Sequence, residues 1–108
     1  MNARELCLKK AEECVLNDRN KQYGSPENVF NDVADLWRVY LRGSGRNVRL
    51  TCTDVAMMLA LLKVARISAN PTHKDSFVDL AGYAACAMEC AAAEGIRYID
   101  DVTEGQKE

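Results

Sequence analysis

The side chains best suited to chemistry in this chain fall in two charged stretches. Asp75 and Asp79 are four residues apart, which places both carboxylates on one helix face. Like charges at that spacing repel unless a cation sits between them. Together with Asp54 they make an oxygen-only ligand set, the kind Mg²⁺ completes with water and phosphate oxygens. All three also have ordinary uses, Asp54 and Asp75 as helix caps and Asp79 as a solvated side chain. Lys63 and Arg66 follow three apart, with His73 and Lys74 beyond them. Opposite a metal these cations would clamp a phosphate chain, Arg66 as a bidentate fork and Lys63 as a point charge. At the end of a helix they would equally complement its dipole. Arg19, Gln22 and Tyr23 could rim such a pocket, and Tyr23 or Trp37 could stack on a base. Trp37, spaced helically with Val33 and Tyr40, also reads as core. The chain has no P-loop, G-x-G-x-x-G, H-E-x-x-H or nucleophile motif.

Helices must position these groups. Apolar residues at Leu6, Cys7, Ala11, Cys14 and Val15 predict a first helix over about 2–21. Ser25-Pro26-Glu27 predicts the start of a second, with a hydroxyl cap, a proline in the first turn and an acid behind it. That helix runs to about Leu41, and Gly43 to Asn47 forms a loop. Thr51 and Asp54 have the spacing of a capping box for a third helix that ends near Ser68, before Asn70-Pro71. From Val55 to Leu62 this helix is apolar on nearly every side, so several neighbours must cover it, a second subunit among them. The fourth helix spans about Lys74 to Glu94 and stops at Gly95. Its centre, Ala81 to Ala87, is rich in small residues that permit close contact.

The composition agrees with helices. The chain has 108 residues, 48% of them hydrophobic and 6% aromatic, with only two prolines and six glycines. A net charge of -2 gives no field for nucleic acid or anionic lipid. No apolar run approaches the ~20 residues of a membrane span, and the first residues lack the apolar core of a signal peptide. A cytoplasmic protein with no membrane partner is expected. Five cysteines without a C-x-x-C pair read as small buried hydrophobes rather than zinc ligands. Residues 1–100 are expected to form one all-α domain and 101–108 a polar tail.

Several phrases together resemble a family of small bacteriophage and prophage proteins. They are Tyr23-Gly24-Ser25-Pro26-Glu27, Leu36-Trp37, Asp54-Val55-Ala56-Met57-Met58, Leu62-Lys63-Val64-Ala65-Arg66, Asn70-Pro71 and Lys74 to Ala84. That family looks like a branch of the all-α, MazG-like nucleoside triphosphate pyrophosphohydrolases. The resemblance implies a four-helix MazG-like bundle, a homodimer or homotetramer, in a host bacterial cytoplasm. It implies Mg²⁺-dependent cleavage of a nucleotide, with Asp54, Asp75 and Asp79 on the metal and Lys63, Arg66, Lys74, Tyr23 and Arg19 on the nucleotide. The family's E-E-x-x-E motif, laid on the third helix, meets Met57, Met58 and Leu61 instead. Its E-x-x-D, laid on the fourth, meets Ser76 and keeps Asp79. A second placement on Asp32-Val33-Ala34-Asp35 restores a D-x-x-D. The departures leave an enzyme with a rebuilt metal site, a shell that binds or sequesters a nucleotide without cleaving it, and a third, purely structural helical oligomer.

Overall fold

The computed structural model describes residues 1–18 and 25–95, which form four α-helices and, among the described residues, no strand. Helix α1 covers Ala3–Glu12 and continues as a π-helical stretch, Glu13–Asp18. Helices α2 (Pro26–Gly43), α3 (Cys52–Ala69) and α4 (Lys74–Ala93) follow. Residues 19–24 and 96–108 lie outside the description, and with them Arg19, Gln22, Tyr23 and the polar tail.

Local chemistry sets most of the ends. The Asn2 side chain accepts from the Glu5 N–H at 2.9 Å and starts α1. The capping box of α3 is complete: Asp54 N–H donates to Thr51 Oγ1, and Thr51 N–H donates to Asp54 Oδ2 at 2.9 Å. Gly45 and Gly95 take the positive φ that lets the chain leave α2 and α4. The expected hydroxyl cap of α2 is not made. Ser25 stands at the N-cap, but its side chain forms no capping bond. Its carbonyl accepts from Asn28 and Val29, and Pro26 presets the first turn.

Helices α3 and α4 share the most extensive contact and form an antiparallel hairpin about the Asn70–His73 turn. Helix α2 lies against both, and α1 lies against α4. The core gathers Phe30 and Ala34 of α2, Leu50, Cys52, Val55 and Ala56 of the α3 entry, and Cys86, Ala87 and Cys90 of α4. Trp37, Leu41, Leu59 and Tyr83 pack on its margin. Trp37 therefore serves the core. Arg38 donates to the Leu50 carbonyl, which fixes the loop before α3 against α2. Gly82, buried in mid-helix, lies against the π-helical stretch. A Cβ there would come 3.1 Å from Val15 Cγ1.

The interior is built from small residues and the exterior from large ones. Phe30 and Val55 are the largest side chains that are fully buried, and the rest of the core is mostly Ala and Cys. Met57, Met58, Leu61, Leu62 and Val64 of α3 all face outward, Leu61 with 63% of its surface exposed. The small-residue centre of α4 makes its close contact inside the subunit, since Gly82, Cys86 and Ala87 are buried there. No helix among the described residues is long and apolar enough to cross a membrane.

Candidate functional site

The two ends of the α3–α4 hairpin carry the charged groups, and they differ in chemistry. At the turn end stand Lys63 and Arg66 of α3 with His73, Lys74, Asp75 and Asp79 of α4 and its approach. Lys63 Nζ lies 3.0 Å from Asp79 Oδ2, with the Lys63 side chain 12% exposed and that of Asp79 42%. The cation that relieves the Asp75–Asp79 repulsion is therefore Lys63 itself. Arg66, Lys74 and Asp75 are exposed and have no ion-pair partner among the described residues. His73 is the N-cap of α4, and its Nδ1 is 2.7 Å from Ser76 Oγ. Ser76 is fully buried, so the pair orders the helix start and offers no accessible nucleophile. The Asn70 side chain accepts from Thr72 Oγ1 at 2.8 Å and shapes the turn.

Asp54 sits at the opposite end of the hairpin, bound into its capping box. Fifteen residues of helix separate it from the turn, about 20 Å at 1.5 Å per residue. Mg²⁺–oxygen distances are about 2 Å. One subunit thus brings Asp75 and Asp79 together and leaves Asp54 apart from them. Among the described residues no group of three or more His, Cys, Asp or Glu side chains converges as a metal site. The cavity beside Asp79 and Tyr83 measures ≈ 20 Å³. That is room for one water and far less than a nucleotide requires. Arg66 and Lys74 lie on the surface outside this cavity.

The other end holds a cluster that sequence reasoning missed. Glu94, just past α4, accepts from Cys52 Sγ at 3.0 Å and from the Thr53 N–H at 3.2 Å. Thr53 occupies the second position of α3, so its N–H is one the helix cannot satisfy itself. Burial pushes the Cys52 thiol well above its ordinary range, helped by its bonds to Glu94 and Cys90. Burial raises Cys90 as well, and the charges of Glu94, Glu27 and Glu89 add to the effect. Both are inert, protonated thiols, and neither suits nucleophilic or metal-ligating work. Partial burial pushes the Glu94 carboxyl up, but the Cys52 and Thr53 donors outweigh it and hold the carboxyl below its ordinary value.

Two stability outcomes follow. Asp79→Ala leaves the largely buried Lys63 side chain without its partner, and should cost about 1–2 kcal/mol, discounted for the exposure of Asp79. Lys63→Met in the same chain should recover most of that loss in urea midpoints. An unchanged midpoint for Asp79→Ala would show the pair to be idle. The stabilisation from Glu94 is complete above its ordinary pKa of 4.5 and is lost as pH falls through the lower folded value. Glu94→Gln should therefore melt below wild type at pH 7, by under about 1 kcal/mol because the carboxylate is exposed, and match it near pH 3. A constant gap across that range would mean the charge is irrelevant.

Three comparisons with known proteins bear on this geometry. A family model described as a domain of unknown function, DUF6378, matches residues 6–91. The chain is similar to the Gene 55 protein of Mycobacterium phage D29, 39% identical over 82 residues, which are 76% of this chain and 51% of that protein. It is also similar to the Gene 55 protein of Mycobacterium phage L5, 40% identical over 91 residues, 84% of this chain and 56% of the relative. The chain spans about half the length of these curated relatives. No solved structure matches.

Proposed function

This chain belongs to the DUF6378 family and is related to phage Gene 55 proteins, and from that premise we propose that it binds a nucleotide without hydrolysing it. The observation that carries the reading is the pairing at the turn end. Asp79, the carboxylate kept when the MazG-like motif is laid on α4, is held by Lys63 at 3.0 Å, while Arg66 and Lys74 stand exposed with no ion-pair partner among the described residues. A hydrolase needs several carboxylates converging on Mg²⁺, whereas a binder needs only cations that face solvent. Asp54 is remote, and Met57, Met58 and Leu61 occupy the motif positions that would have supplied glutamates. Two free cations suit a phosphate chain, with the Arg66 fork and the Lys74 ammonium taking separate oxygens. The nucleotide class itself rests on the resemblance to MazG-like enzymes.

The same reading makes the chain a homo-oligomer. Met57, Leu61 and Val64 recur at i, i+4 and i+7 on the outward side of α3, flanked by Met58. A two-fold pairing of this stripe would give each subunit the cover that its own helices leave out.

Calorimetry with a panel of nucleoside mono-, di- and triphosphates, with and without Mg²⁺, tests the binding. Arg66→Ala and Lys74→Ala should each lose one charge-assisted contact, weakening affinity about ten- to a hundred-fold. Lys63→Ala should act on stability instead. Pyrophosphate release from the same panel should be absent. Release that depends on Mg²⁺ would replace this reading with the hydrolase, and equal affinities for all variants would remove the phosphate site.

A further inference from the structure

Two surface features of one subunit complement each other and do not meet within it. The first is a groove of ≈ 620 Å³ between α1 and the start of α4, walled by Leu6, Cys7, Phe77 and Val78. Its lining is apolar except for Arg4 and Lys74 at the edge. Arg4 has no ion-pair partner among the described residues. The second is the outward stripe of α2. Asp32, Leu36, Val39 and Tyr40 fall at i, i+4, i+7 and i+8, so an acid stands one turn before three apolar side chains. Leu36 is 68% exposed and Tyr40 75%. Helix α2 packs on α3 and α4 and makes no contact with α1, so the stripe lies away from the groove of its own chain.

We propose that the groove between α1 and α4 receives the α2 stripe of a second copy of this chain. An amphipathic helix laid into an apolar groove is a recurrent mode of recognition, read as anchors at i, i+3, i+4 and i+7. Leu36 and Val39 supply the anchors, and the groove is the described concavity large enough to take them. Charge fixes the direction, because the acidic turn of the stripe meets the cationic edge of the groove, Asp32 facing Arg4. The match selects α2 over the equally apolar α3 stripe. On α3 the sole acid, Asp54, is already engaged with Thr51. Groove and stripe are different surfaces, so the contact is head-to-tail, and it closes only as a reciprocal pair or a ring. It is independent of the α3 stripe, and it shares only Lys74, at the groove edge, with the proposed phosphate site.

The test uses the full chain carrying Leu61→Glu, which removes the α3 contact and leaves this one alone. Sedimentation of that chain at tens of micromolar should give a mass above one subunit. Adding Leu36→Asp or Phe77→Asp should give monomers with unchanged helical circular dichroism, since both side chains are exposed. Tyr40→Asp is a second stripe variant should Leu36→Asp lose its helicity. An equimolar mixture of the Leu36→Asp and Phe77→Asp chains should form a 1:1 complex, because one keeps an intact groove and the other an intact stripe. Arg4→Glu should weaken association several-fold, and Asp32→Lys in the same chain should restore it. Alkylation of Cys7, inside the groove, should be slowed in the assembled chain and fast in the monomeric variants. A monomeric Leu61→Glu chain, or a mixture that stays monomeric, overturns the proposal.

Discussion

The seam between α3 and α4 is lined mostly by small side chains, and the rest of the subunit is arranged around that fact. Ala56 and Ala60 on α3, with Gly82, Cys86, Ala87 and Cys90 on α4, are all buried. Small residues let two helices approach closely and bury backbone-proximal surface, but each supplies little apolar area. A fully buried Leu or Met would contribute about 1.5–3 kcal/mol, and the subunit leaves most of those outside. A close seam and a large-residue core compete for the same space. Here the seam wins, and the apolar area that would ordinarily stabilise a single domain lies on the outward faces of α2 and α3 and along α1.

Polar ties at either end hold the seam in register. Glu94 closes one end by bonding the first turn of α3, where helix N–H groups and the dipole both favour a carboxylate. Lys63 and Asp79 close the other. The second tie uses Lys63 and Asp79, charged residues that a catalytic reading would spend on substrate and metal. Three of the five cysteines fit the same account: Cys52, Cys86 and Cys90 are small buried groups of the seam, whereas Cys7 is half-buried and Cys14 exposed, against the expectation that all five are buried. All five cysteines are free thiols, with no disulfide among them.

Much of this was legible in the sequence. The T-x-x-D pattern located the start of α3, Asn70-Pro71 the turn, and Gly95 the end of α4. The all-round apolar character of α3 from Val55 to Leu62 foretold that its own subunit could not cover it. The side-chain geometry was less legible. Spacing put Asp54 near Asp75 only because periodicity says nothing about which end of a hairpin a residue occupies; two helices of nearly equal length around a short turn place them at opposite ends. The same equality of length brings Glu94, at the end of α4, beside Cys52 at the start of α3. Ser25 has the right type for a cap yet makes no capping bond, because residue type sets a preference and the neighbouring backbone decides whether it is used.

The central claim is that this subunit, with its large apolar side chains outside, is stabilised by copies of itself. Its most direct test is the thermal midpoint of the wild-type chain measured over a hundred-fold range of protein concentration, with the mass followed by light scattering. Linkage of folding to assembly predicts a midpoint that rises steadily with concentration and a mass of two subunits or more throughout the upper range. A monomeric mass with a midpoint independent of concentration would contradict it.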